Sequence, residues 1–360
     1  MTHGIEASIL IKRQQTTRSV LATWCVVAAC GLSTADIIAE PVADKPLFVD
    51  PVYDGAADPA VIWNRVTDRW FMFYTNRRAN LADPGPGVSW VHGTRIGIAE
   101  SIDAGASWTY VGEADIDVAA GAPQTHWAPA IIEHEGVYHM YLTHVPGVFA
   151  SWDHPREIAH LTSRDLRTWK TVGPLELHGD RVIDAAILRL PDGRWRMFYN
   201  DEPDAKAVRH ADSDDLFAWE DRGKTFEGPP GEGPVAFRWR GRYWLILDEW
   251  RGLGVYHSGD ATNWTRQEGD RLLSTGGKHP SDAVRGSHPD VVVSGERAYL
   301  FYFTHPDRKP GTGFETPKSR RSVLQVTELQ IREGQLTCDR DAPTHIRLRS
   351  STSATRPSTQ

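Results

Sequence analysis

Cysteine is scarce: three in 360 residues, at 25, 30 and 338. Two of the three fall within the first 30 positions, so the body of the chain holds a single thiol and no disulfide framework can staple it. Positive charge is not in excess either. Forty Lys and Arg against 47 Asp and Glu give −7 at pH 7, which leaves no basic field for a phosphate backbone, and no nucleic-acid partner is expected. The body of the chain also lacks an uncharged apolar run of about 18 residues, the length of a spanning helix. Aromatic residues, in contrast, are plentiful, with 14 Trp, 10 Tyr and 11 Phe. Rings in that number suit packed sheets and sugar-stacking surfaces alike, with packing the default for any one of them.

The N-terminus differs in character. Lys12, Arg13 and Arg18 precede the apolar run Val20 to Ala29, which has the length of a signal-peptide core. Ser33, Thr34 and Ala35 offer small residues for cleavage before Asp36, so residues 1–35 are expected to be a signal and the mature protein to be periplasmic or extracellular. Val27-Ala28-Ala29-Cys30 also resembles a bacterial lipobox, and processing there would leave a lipid anchor on Cys30. An uncleaved anchor or a mis-assigned start is the remaining alternative. Residues 36–349 are expected to form one domain, and the Ser/Thr-rich stretch 350–360 a disordered tail. A monomer is expected.

Within that domain one unit recurs. DPAVIWNRVTDRWFMFYT, from Asp58 to Thr75, pairs a short apolar run with an aromatic one across a polar turn, which is a β-hairpin signal. Similar stretches open at WAPAIIEHEGVYHMYLT from Trp127, DAAILRLPDGRWRMFYN from Asp184, EGPVAFRWRGRYWLILDE from Glu232 and HPDVVVSGERAYLFYFTH from His288. The first four are each followed by a more polar hairpin carrying Ser-x-Asp and then Trp, at 108, 169, 219 and 264. That pattern fits a side-chain-closed turn over a packed indole. Two hairpins per copy, repeated at intervals of roughly 50 to 70 residues, are the signature of propeller blades. The chain is therefore expected to be all-β, a five-bladed β-propeller with four antiparallel strands per blade. The short run Leu47 to Val49 is placed to complete the last blade and close the ring, and 306–320 reads as a long polar loop within blade five.

Aligning the apolar runs brings Asp58, Ala128, Asp184, Glu232 and His288 to one position, at the start of the innermost strand of each blade. Such positions converge around one mouth of a propeller. Three carboxylates and a histidine in one cavity repel unless some are protonated or paired, an arrangement a purely structural ring has no need of. EGP occurs twice, at Glu227 and at Glu232; only Glu232 has the strand and the Tyr243 spacing of the other copies.

DPAV, WAP, the Asp of VIDAAI, EGP and the repeated Ser-x-Asp turns, taken in order, resemble glycoside hydrolase family 43 over roughly residues 50 to 340. That family comprises mostly inverting arabinofuranosidases, xylosidases and arabinanases on a five-bladed propeller. Carried over by position, the resemblance implies Asp58 as general base, Glu232 as general acid and Asp184 as the residue that tunes and orients the acid. Inversion requires a base for water and a protonated acid for the leaving oxygen, with the carboxyls roughly 6.5–9.5 Å apart, and a third carboxylate keeps the acid protonated. No cofactor is required. The resemblance allows a structural calcium ion on the axis with His288 as a ligand, although calcium takes about six to eight oxygens, and a hydrogen-bonding histidine, or a back-up acid, is the alternative at that position.

The expected partner is a carbohydrate from plant or algal polysaccharide, with Trp127, His126, Asn76, Arg77 and Trp250 as candidate substrate contacts. Blade two departs from the family pattern by carrying Ala130 where an acid is usual. Competing readings are a non-catalytic carbohydrate-binding propeller, another five-bladed glycosidase acting on galactofuranosides or anhydrogalactosides, and a phosphorylase, which would need Arg, Lys or His clustered near the axis. SIDAGASW matches a sialidase box, but five repeats without an arginine triad do not fit that family.

Overall fold

The computed structural model describes residues 40–117, 123–308 and 311–350; the expected signal, the lipobox with Cys30, and residues 351–360 of the expected tail lie outside them. Five antiparallel sheets follow one another along the chain, each in simple up-and-down strand order. Their innermost strands are Ala56–Asn64, Thr125–His134, Val182–Arg189, Glu232–Trp239 and Ser287–Ser294. Blade two gains a fifth strand, Asp115–Ile116, which runs parallel to Thr168–Pro174.

The aromatic second strands hold the ring together. Side chains alternate between the two faces of a strand, so one strand serves two neighbours. In Arg69–Asn76, Phe71 and Phe73 pack with Tyr138, Met140 and Trp169 of blade two. Trp70, Met72 and Tyr74 pack with Tyr299, Phe301 and Phe303 of blade five. The other three interfaces repeat the arrangement with Tyr141 against Tyr199, Phe198 against Leu245, and Trp244 against Tyr302. Burying each such ring contributes about 1.5–3 kcal/mol, and the chain relies on this where small secreted domains rely on disulfides.

Closure of the ring is narrower than a full strand. Leu47 and Phe48 exchange backbone hydrogen bonds with Leu324, and the Phe48 ring meets Tyr74 of blade one at 5.3 Å. The Ser-x-Asp turns close as their residues imply. Asp165, for example, accepts the N–H groups of Arg167 and Thr168 and the hydroxyl of Ser163. The stretch 306–320 departs from the expected polar loop. Phe314 packs on Trp90 with ring centroids 4.9 Å apart, and Arg320 donates to the carbonyls of Ala79 and Leu81. Blade five thereby reaches over to blade one and walls one side of the axial mouth.

Candidate active site

Every innermost strand slips register near its start, between Ala57 and Ala60, Trp127 and Ala130, Ile183 and Ala186, Glu232 and Val235, and Ser287 and Asp290. These are β-bulges, which re-aim side chains. The first residue of each slip has positive φ: Asp58, Ala128, Asp184, Gly233 and His288. Proline follows in four of the five, at 59, 129, 234 and 289, where an absent N–H is harmless because the ladder is already broken. Holding non-glycine residues in this region costs on the order of 1–3 kcal/mol each, and such strain concentrates at functional sites.

This geometry corrects the sequence alignment in blade four. Gly233, not Glu232, is the counterpart of Asp58, Asp184 and His288. Glu232 stands one residue earlier, equivalent to Ala57, Trp127, Ile183 and Ser287, and opposite Asp248 on the next strand. Glu232 still lines the same cavity, as do Trp127, Ile183 and Ser287. The site therefore has two tiers, with bulge residues at the axis and the preceding residues on the wall. Glycine at 233 leaves room for its neighbour, since a Cβ there would lie 2.7 Å from His288 Nδ1.

Neighbouring blades lock the bulges. Thr75 accepts the N–H of Ala128, Thr143 that of Asp184, and Asp248 that of His288. In blade four the Gly233 N–H donates to Asp184 Oδ2 at 3.0 Å.

The carboxyl groups meet in a cavity of about 640 Å³. Arg77 Nη2 donates to both oxygens of Asp58, at 2.9 and 3.1 Å. His288 Nδ1 lies 3.5 Å from Asp58 and 3.9 Å from Asp184. Burial alone would lift the Asp58 carboxyl, but Arg77 and His288 outweigh it and hold Asp58 below the usual carboxylate range. Asp184 goes the other way: burial raises it, His288 opposes, and the charge of Asp58 adds to the rise. Glu232 is pushed up to about 7, by burial first and then by the charges of Asp184 and Asp248, with Lys206 and the Trp250 side chain opposing. Its side chain keeps 30% exposure, toward the cavity, and Lys206 Nζ lies 3.9 Å away. Burial would lower His288, yet the surrounding carboxylates raise it.

That environment favours a protonated His288, a poor ligand for a cation. Among the described residues no group of three or more His, Cys, Asp or Glu side chains is placed to hold a metal ion.

The candidate substrate contacts divide. Trp250 and Trp127 line the cavity, although the Trp127 indole is largely buried and donates to the carbonyl of Val91 at 2.6 Å. Arg77 lines it too, bound to Asp58 and with its guanidinium 4.7 Å from the centre of the Phe303 ring. His126 and Asn76 are not in the lining. Both are buried, His126 beside His144 and Asn76 donating to Asp50, and their positions near strand ends misled because the neighbouring Trp127 and Arg77 take the cavity side there. Sequence reasoning missed Asp248, the buried acid behind Glu232, and the aromatic wall of Trp90, Trp152 and Phe314. The proline after four of the five bulges was the available signal for the true register.

No protein-family model matches the chain, and no curated protein matches it in sequence. Solved structures do match. A thermostable family-43 glycoside hydrolase superposes with a TM-score of 0.60 at 19% identity, covering 84% of this chain and 98% of that one. The fold is the family-43 glycoside hydrolase propeller. A GH43_1 enzyme from Xanthomonas citri complexed with xylotriose gives a TM-score of 0.58 at 14% identity over 83% of this chain and 94% of its own. A family-43 β-1,3-galactosidase with galactodeoxynojirimycin gives 0.58 at 14% over 84% and 98%. Neighbours of this fold thus hold different sugars.

Proposed function

We propose that the protein is an inverting O-glycoside hydrolase in which Asp58 is the general base, Glu232 the general acid and Asp184 the group that keeps Glu232 protonated. The observation that carries this reading is the opposite displacement of two carboxyl groups in one cavity, Asp58 down and Glu232 up to about 7. Two carboxyls driven apart in this way are how a site runs acid and base chemistry at one pH.

The charges give each residue a task. Asp58 stays ionised because Arg77 and His288 face it, so it accepts a proton from the attacking water. Glu232 donates its proton to the departing glycosidic oxygen and leaves as a carboxylate, stabilised at that moment by Lys206. Asp184 is fixed by the Gly233 N–H, and its field falls on the residue adjoining that glycine. His288 is committed to Asp58 and Asp184, which disfavours it as the acid. After turnover Asp58 holds the proton taken from water and Glu232 has lost one, so exchange with solvent resets the pair.

The substrate class we propose is a plant or algal oligosaccharide or polysaccharide of the arabinofuranoside or xyloside kind; solved neighbours holding xylotriose support it. Turnover of aryl α-L-arabinofuranoside, β-D-xyloside and β-D-galactoside, by wild type and by Asp58→Asn, tests the reading. Hydrolysis of at least one by the wild type and its loss in the variant are expected. Sugar binding without hydrolysis of any glycoside would identify a carbohydrate-binding propeller instead.

A further inference from the structure

Among the described residues, the Arg and Lys side chains that line the cavity are ion-paired, with one exception. Arg77 holds Asp58, Arg156 lies 2.6 Å from Glu202, Arg181 2.5 Å from Asp153, Lys206 2.7 Å from Glu202, and Arg285 3.3 Å from Asp248. Arg308 also lines the cavity, and among the described residues no carboxylate comes within ion-pair distance of it. Its guanidinium is laid over Phe314, 4.1 Å from the ring centre. Phe314 in turn packs on Trp90 and on His305, and His305 on Phe303, the ring beneath Arg77. Arg308 therefore belongs to the same wall as Arg77 and Arg285.

His305 brings no charge of its own to balance this wall. Its Nδ1 donates to the carbonyl of Arg321, and burial together with the nearby Arg77 holds its ring neutral. The wall thus presents a guanidinium stacked on an aromatic face and facing the cavity, with no carboxylate of the described residues in ion-pair contact and only the more distant charge of Glu315 opposite it. A planar guanidinium matches the two oxygens of a carboxylate or sulfate.

We propose that the substrate carries an anionic group, a uronate carboxylate or a sulfate ester, and that Arg308 binds it with Arg285 beside it. This rests on the reading of the cavity as a glycosidase site and adds to it that the plant or algal glycan carries an acidic group. Arg285 is already engaged with Asp248 and Ser287, so Arg308 is the residue that discriminates.

The test measures binding by calorimetry to full-length Glu232→Gln protein, which holds glycosides without cleaving them. The probes are a 4-nitrophenyl β-D-glucuronide, a 6-sulfated β-D-galactoside and the neutral β-D-glucoside and β-D-galactoside. At least one anionic glycoside is expected to bind about tenfold or more tighter than its neutral counterpart, the scale of a charge-assisted hydrogen bond. Adding Arg308→Ala should abolish that preference with little change for the neutral sugar, and Arg308→Lys should restore part of it. The glucuronide and sulfate arms separate the two sources of charge.

Equal or tighter binding of the neutral glycosides, or a preference that survives Arg308→Ala, overturns the inference. So does a requirement for inorganic phosphate in wild-type turnover, which would assign this wall to a phosphorolytic co-substrate. The two readings fail separately. An Arg308-dependent preference without hydrolysis of any glycoside removes the hydrolase and leaves the anion site, whereas hydrolysis of neutral glycosides with no anionic preference does the reverse.

Discussion

The backbone N–H of Gly233 donates to Asp184 Oδ2 at 3.0 Å. This bond ties the buried carboxylate of blade three to the residue immediately after Glu232, so the proposed acid and the group proposed to tune it are held by one bulge. Asp184→Asn should keep much of the geometry while removing the charge. The alkaline limb of kcat/KM reports deprotonation of the acid in the free enzyme, and Glu232 at about 7 places that limb near neutrality. In Asp184→Asn the limb should move to lower pH, because a like charge that raised Glu232 is gone. A pH profile of the variant checks the direction.

Arg77 acts on the opposite limb. It is the largest attraction holding Asp58 ionised, so Arg77→Ala should move the acidic limb to higher pH as Asp58 becomes easier to protonate. The same pH–rate measurement, extended below pH 5, reads it.

Gly233 gives a steric prediction. Four other residues hold the same positive-φ bulge conformation with a side chain, so φ alone does not forbid alanine. The obstacle is His288, whose ring a Cβ at 233 would meet at 2.7 Å. Gly233→Ala is expected to cost about 1–3 kcal/mol of stability, as overpacking does, and to lower kcat by displacing His288 from Asp58. Denaturant unfolding and steady-state kinetics measure the two effects.

Raising the carboxyl of Glu232 also works against stability. The folded protein retains a proton that an unfolded glutamate, at 4.5, would already have lost. Between the unfolded value and about 7 the folded state binds more protons, so this group's contribution falls as pH rises through that window. Glu232→Gln should therefore unfold at a higher temperature than wild type at pH 8 and at nearly the same temperature at pH 4. Thermal melts at both values decide it. Glu227→Gln, made in parallel, should leave turnover close to wild type.

Much of the fold was legible because the aromatic second strands repeat. Trp70 to Tyr74 and its four counterparts each fill two blade interfaces, and a strand that packs on both faces is aromatic throughout. The carboxylates were legible as a set because bulges at one level converge on one axis. The register of Glu232 was not, since matching apolar runs ignores the extra bulge residue, whereas the proline after it does not. His126 and Asn76 were misplaced for a related reason: near a strand end, one residue faces the cavity and the next the blade. Arg308 and Phe314 gave no periodic signal. They sit in a connection whose path across the mouth depends on Trp90, which is more than 200 positions away in the chain.

The proposed reaction is a single displacement, with Asp58 driving water against a bond whose leaving oxygen Glu232 protonates. Proton NMR of the first-formed sugar, released by wild type from the best glycoside of the panel and recorded before mutarotation, tests it most directly. The predicted product has the anomeric configuration opposite to that of the substrate. First-formed sugar of the same configuration would contradict the assignment and require a covalent intermediate in its place.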